Sequence, residues 1–137
     1  MTTAFVAIGA ALILAAVTGW LLTRRDGIVR ATERGSAADL DTSDLGLSHA
    51  GPTVVHFSAS WCAPCDRVRR VVAEVCDGLG AAHVEIDIDA NPAAARRLSV
   101  LSLPTTFIFD AEGQQRYRTA GVPRPDDLRS ALTPLLA

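Results

Sequence analysis

The residues of this sequence best suited to chemistry are Trp61-Cys62-Ala63-Pro64-Cys65. Two cysteines with two residues between them can close a small disulfide ring without displacing the backbone, and reopen it as a dithiol. The pair falls between the end of a β-branched run at Ser58 and the start of a helical pattern near Ala63. A thiol at a helix N-terminus meets unpaired N–H groups and the positive end of the helix dipole, both of which favour a thiolate. Cys62 has that place. Cys65, one turn further in, is expected to be more buried and to stay a thiol until attacked. Half of a zinc site would use the same spacing. Zinc takes four ligands, however, and Cys76, His49, His56 and His83 offer no second paired spacing, so no metal is expected.

The elements that must hold this pair are legible from residue 52 onward. Thr53-Val54-Val55-His56-Phe57-Ser58 is nearly continuous in apolar character, as in a strand covered on both faces. Val68, Val71, Val72, Val75 and Leu79 recur at helical spacing, so a helix is expected from Ala63 to about Leu79, with glycines near its end. His83-Val84-Glu85-Ile86-Asp87-Ile88 alternates as a strand does. Asn91-Pro92 is a helix start, with Asn as cap and Pro in the first turn, and predicts a short helix from Ala93 to Leu98. Thr105-Thr106-Phe107-Ile108-Phe109 and Gln115-Arg116-Tyr117-Arg118-Thr119 read as two strands joined by a turn. Pro125-Asp126-Asp127 opens a last helix, which Pro134 should end or kink.

Composition limits what such a unit can be for. The chain has 137 residues, 49% of them hydrophobic and 20% charged, with a formal net charge of −2. That balance gives no basic surface for nucleic acid. The apolar content excludes a disordered chain, and three cysteines are too few for a disulfide-rich secreted scaffold. The mean hydropathy of +0.24 is high for a chain with 5% aromatic residues, and the excess lies at the N-terminus. Residues 4–22 carry no charge and would span about 28 Å as a helix, close to the hydrocarbon thickness of a bilayer. Trp20 stands near the end of the run, where an interfacial aromatic would anchor it. A cleavable signal peptide would need a basic region before the run, and a core helix would be apolar on one stripe only. The run therefore reads as a transmembrane anchor. Arg24, Arg25, Arg30 and Arg34 all follow it, which places the remainder of the chain in the cytoplasm by the positive-inside rule; the extracytoplasmic face is the alternative. Three parts result: an anchor over 1–22, a linker over 23–51 and a domain over 52–137. The linker has turn signals, a candidate short edge strand at 27–32 and one or two candidate helical turns at 39–47.

The domain resembles the thioredoxin family from Pro52 to the C-terminus. Trp61-Cys62-Ala63-Pro64-Cys65 is close to the family's Trp-Cys-Gly-Pro-Cys, and Leu103-Pro104-Thr105 before a strand is similar to its cis-proline loop. Asp89-Ala90-Asn91-Pro92 and Gly121 fall at matching positions. The resemblance implies an α/β thioredoxin fold, with a central mixed sheet flanked by helices, and a thiol–disulfide oxidoreductase with no cofactor beyond the redox-active Cys62–Cys65 disulfide. It also implies roles. Cys62 attacks a protein disulfide, and Cys65 resolves the mixed disulfide. Trp61, Pro64, Leu103, Pro104 and Thr105 form the surface on which the substrate lies, with the Leu103 backbone bonding to it as a strand would. Partners would be protein disulfides and dithiols, an upstream thiol reductase or other electron donor, and the membrane. Alternatives are a thioredoxin-fold binding module without turnover, and an extracytoplasmic reductase or oxidase of envelope or cytochrome maturation pathways.

Three departures from the family pattern stand out. The helix after the dithiol lacks the family's usual proline, with Arg69-Arg70-Val71 in its place, and the first strand and helix of the fold are abbreviated. The third concerns a buried pair. His56 stands where the family usually places an Asp beneath the dithiol, and Glu85 where it usually carries a Lys. Imidazole can still accept a proton from the resolving cysteine, with an ordinary pKa near 6.5 that suits neutral pH. The pair is thus a candidate proton relay. Arg67, Arg69 and Arg70 read as a solvated helix face, the alternative being that they raise the positive potential near the dithiol.

Overall fold

The computed structural model describes the backbone of residues 2–23, 27–32 and 41–137, and the side chains of its first helix from residue 6 to residue 22. That helix, α1, spans Thr2–Thr23. Among the described residues no helix is long and apolar enough to cross a membrane. Arg24, Arg25, Arg34 and the 39–40 end of the candidate helical turns lie outside the described residues, and residues 43–46 form a turn rather than a helix.

Five strands follow: β1 (Arg30–Ala31), β2 (Thr53–Ser58), β3 (Ala82–Asp87), β4 (Thr105–Phe109) and β5 (Gln115–Ala120). They form one mixed sheet in the order β1-β5-β4-β2-β3, with β2 and β3 parallel and every other pair antiparallel. The helices are α2 (Cys65–Leu79), α3 (Pro92–Arg97) and α4 (Pro125–Leu132), the last running into a 3-10 turn at Thr133–Leu135. The parallel β2–β3 pair is joined by α2, since parallel neighbours need a crossover.

Alternation along β2 divides the interior in two. Val55 and Phe57 point to one face, where they meet Phe107, Phe109, Ile86 and the Ala94, Ala95 and Leu98 side of α3. Phe57 and Phe107 meet edge to face at 5.9 Å between centroids, a geometry that aromatic quadrupoles favour. Val54 points to the other face, with Ile108, Val68, Val72, Val75 and Cys76 of α2 and Leu128, Ala131 and Leu132 of α4. All six residues of β2 are buried, as a central strand covered on both sides requires.

Local chemistry explains where the elements end. Asn91 caps α3 by accepting the Ala94 N–H at 3.1 Å, with Pro92 in the first turn. Gly80 closes α2 in a left-handed conformation at φ 68°. The helix begins at Cys65 rather than Ala63, because a residue before proline is disfavoured in the α region and Pro64 itself takes the cap position. The edge strand is shorter than the candidate 27–32, with ladder partners only at Arg30–Arg118 and Ala31–Tyr117. Just before it, Gly27 is buried at φ 81°, and a Cβ there would lie 2.2 Å from the Val122 carbonyl oxygen. Further along, Leu45 is 1% exposed in the α3-side core and Asp44 pairs with Arg97 of α3, so this part of the 23–51 segment packs on the domain.

Candidate active site

A disulfide joins Cys62 and Cys65 across 5.5 Å between Cα atoms, at the junction of β2 and α2. The turn is set by backbone bonds: Cys62 N–H donates to Ala59 O and Cys65 N–H to Cys62 O, each at 3.1 Å. Cys62 therefore sits three residues ahead of the first helical residue, outside the positive end of α2, and Cys65 is that first residue. Cys65 is 1% exposed against 8% for Cys62, the order expected of a resolving and an attacking sulfur.

The loop before β4 closes on this pair. The Leu103–Pro104 bond is cis, and Leu103 packs on the small cluster of Ala59, Cys62 and Cys65. Pro104 and Thr105 are buried; Thr105 Oγ1 donates to Ser102 O at 2.7 Å, and the Gly121 N–H donates to Pro104 O at 2.8 Å. On the other side Trp61 is 70% exposed and its indole N–H donates to Asp89 Oδ2 at 3.1 Å. Trp61, the disulfide and the Leu103-Pro104 loop thus form one surface. Leu101, 92% exposed, stands two residues before Leu103.

On β2, the strand that leads to the disulfide, His56 is 1% exposed and is the register partner of Glu85 on β3 and of Thr106 on β4. Residues opposed in register share a face, and Val54, two residues before His56, faces α2; His56 and Glu85 do too. His56 Nε2 lies 3.8 Å from Glu85 Oε2, too long for a hydrogen bond, and neither ring nitrogen has a hydrogen-bond partner among the described residues. Glu85 is engaged elsewhere. Arg69 Nε and Nη2 bind its two oxygens at 2.8 and 2.5 Å, and Ser58 Oγ donates to Oε1 at 2.7 Å. Arg69 Nη1 also binds Asp66 at 2.6 Å. The forked grip of Arg69 holds the Glu85 carboxyl at about 2, with Ser58 and the His56 charge adding to the effect against partial burial. For His56, burial lowers the pKa more than Glu85 raises it, and Arg69 and His83 lower it further. The balance favours the uncharged ring.

Arg69, Ser58 and Asp89 join the site although the sequence alone does not single them out. The signals were the Asp66–Arg69 spacing on one helix face and the Val54-His56-Ser58 alternation toward α2. Cys76 is buried on α2, and burial pushes its thiol up to about 11. Among the described residues no cluster of His, Cys, Asp or Glu is arranged to hold a metal ion.

A disulfide with a cis-proline loop beside it, set at the end of a central strand, defines a thiol–disulfide oxidoreductase. Comparison with known proteins agrees. The thioredoxin family model matches residues 42–134, and the chain belongs to the thioredoxin family. It is 42% identical over 67 residues to a thioredoxin of Mycolicibacterium smegmatis, an alignment spanning 46% of this chain and 60% of that one. To a Staphylococcus aureus thioredoxin it is 32% identical over 107 residues, covering 77% and 94%. Among solved structures, a mutant thioredoxin from Halobacterium salinarum superposes with a TM-score of 0.59 at 29% identity, over 64% of this chain and 76% of that one. Family members act through the redox-active disulfide and need no cofactor.

Proposed function

We propose that this chain is a membrane-tethered thioredoxin that reduces protein disulfides on the cytoplasmic side. The observation that carries the chemistry is the pairing of an outer Cys62 and a buried Cys65 beside the Leu103-Pro104 loop. In the reduced form the Cys62 thiolate attacks one sulfur of a substrate disulfide. A mixed disulfide forms and the other substrate sulfur leaves as a thiolate. Cys65 then gives its proton to His56 and attacks Cys62 Sγ, which closes the Cys62–Cys65 bond and expels the second substrate thiolate. Both leaving thiolates are protonated, the second by the proton held on His56. An upstream dithiol donor restores the reduced pair. Glu85, fixed by Arg69 and Ser58, balances the charge on the imidazolium. Trp61, Pro64 and Thr105 shape the surface, and the Leu103 backbone takes the substrate as an added strand.

The tether rests on α1. Residues 4–22 hold no charge, every described side chain from 6 to 22 is exposed or nearly so, and the one described side-chain hydroxyl bond, Thr18 to Leu14 O at 2.7 Å, turns the polar group inward. Residues 6–22 alone reach about 25 Å as a helix, and the uncharged residues before them bring the run to bilayer thickness. Four arginines follow it within the next twelve residues, which favours a cytoplasmic domain.

Turnover is tested with the full chain in mild detergent by insulin reduction driven by dithiothreitol. A rate well above background that disappears in Cys62→Ser supports the reading, and a background rate refutes it in favour of a binding module. Labelling of Cys62 in intact cells by a membrane-impermeant maleimide tests the side: protection until lysis supports a cytoplasmic domain, and labelling before lysis places it outside.

A further inference from the structure

The mechanism leaves two buried hydroxyls unused. Thr106 on β4 and Thr119 on β5 are 1% and 4% exposed, and neither Oγ1 has a hydrogen-bond partner among the described residues; the same holds for both nitrogens of His56. These groups are aligned. The registers pair Glu85 with His56, His56 with Thr106, and Thr106 with Thr119. Directly opposed residues project from one face with Cβ atoms about 5 Å apart. Ile108 and Tyr117, two residues on from Thr106 and two before Thr119, pack against α2 and α4, so the row lies on that face. It crosses four of the five strands, and Arg69, one helical turn beyond Cys65, grips its Glu85 end.

Buried hydroxyl and imidazole groups are nearly always hydrogen-bonded, to protein or to internal water. A buried water needs about three polar partners, which a single orphaned group does not offer and this row does. We propose that the row holds internal water bonded to the Thr106 and Thr119 hydroxyls and to Nδ1 of His56, and that the two threonines are positioning residues for His56. The inference rests on the reading of His56 as acceptor of the Cys65 proton. Once protonated, the buried ring is a cation between Glu85 on one side and the water on the other. The ionisable groups that act on it are Glu85 and His83 from β3 and Arg69 from α2, while β4 brings only Thr106 to it. With two of those three opposing its charge, water at Nδ1 supplies a bond that Glu85, already committed to Arg69 and Ser58, does not.

Thr106→Val keeps the shape of the side chain and removes the hydroxyl, whereas Thr106→Ser keeps the hydroxyl. Both are made in the full chain in mild detergent. Two quantities are read: the denaturant midpoint, and the pH profile of thionitrobenzoate release by Cys65 from an adduct on Cys62. The expected result is a lower midpoint for Thr106→Val and an acid limb displaced to lower pH, because the imidazolium has lost a bond. Thr106→Ser should restore the parental limb, and Thr119→Val should displace it less than Thr106→Val. A midpoint that rises in Thr106→Val means a hydroxyl buried dry and overturns the proposal, as does an unmoved limb. His56→Ala run in parallel separates the two ideas. If it slows release while Thr106→Val fails these readouts, the inference falls alone; if release is unchanged in His56→Ala, the proton role falls and the positioning role with it.

Discussion

Replacing Glu85 by glutamine isolates the charge that the site is built to hold. In the folded chain the Glu85 carboxyl is lowered from 4.5 to about 2, chiefly by Arg69. At about 1.4 kcal/mol per pH unit of displacement, the ceiling on its contribution at neutral pH is about 3 kcal/mol. Solvent reduces that figure, since the Glu85 side chain is 31% exposed and Arg69 is 49% exposed, and exposed pairs are screened. The expected loss in Glu85→Gln is therefore about 1–2 kcal/mol at pH 7. A carboxyl depressed on folding stabilises above its unfolded value. The contribution is complete above 4.5 and is lost as pH falls toward about 2. Urea unfolding of the full chain and of Glu85→Gln at pH 7, 4.5 and 2.5 should show two curves that differ at pH 7 and converge at pH 2.5. Molar salt should shrink the gap at pH 7. A gap of equal size at pH 7 and pH 2.5, or no gap at pH 7, would refute the assignment of Arg69 and Glu85 as a working ion pair.

Two further expectations follow from the packing. Cys76, with its thiol pushed up to about 11, should resist iodoacetamide at pH 8 in the reduced native chain; Cys76→Ala should keep insulin reductase activity at a stability cost of about 1–2 kcal/mol, and rapid native-state labelling at Cys76 would contradict this. Phe107→Ala should cost about 3–5 kcal/mol in urea unfolding, because the ring contacts Phe57 and Phe109 and lies under the Arg118 guanidinium at 5.1 Å; a loss below 1 kcal/mol would mean that the α3-side core is not organised around it.

Much of the site was legible because its determinants are local. The spacing of Cys62 and Cys65, the Asn91-Pro92 helix start and the alternation around Phe57 each act within a few residues, so strand, helix and dithiol fell in the right order. Elements that depend on pairing across the sheet were not. Arg69 and Glu85 are sixteen residues apart, and only the β2–β3 register and the seating of α2 bring them together. The same register sets Glu85 directly opposite His56, yet the two meet only at 3.8 Å, because Arg69 and Ser58 hold the carboxylate. Thr106 and Thr119 looked like ordinary β-branched strand residues until β4 was placed between β2 and β5. Leu45 gave no clear periodic signal, lying with Leu40 and Leu47 in an otherwise polar stretch, yet it completes the core against α3.

The most direct test of the account is the site of the covalent intermediate. Reduced full-length Cys65→Ser, incubated with a disulfide-bonded protein substrate, quenched in acid and digested without reduction, should yield one dominant mixed disulfide, and mass spectrometry should place it on Cys62. An adduct on Cys76 in its place, or no adduct from a chain that remains folded, would contradict the assignment of Cys62 as the nucleophile.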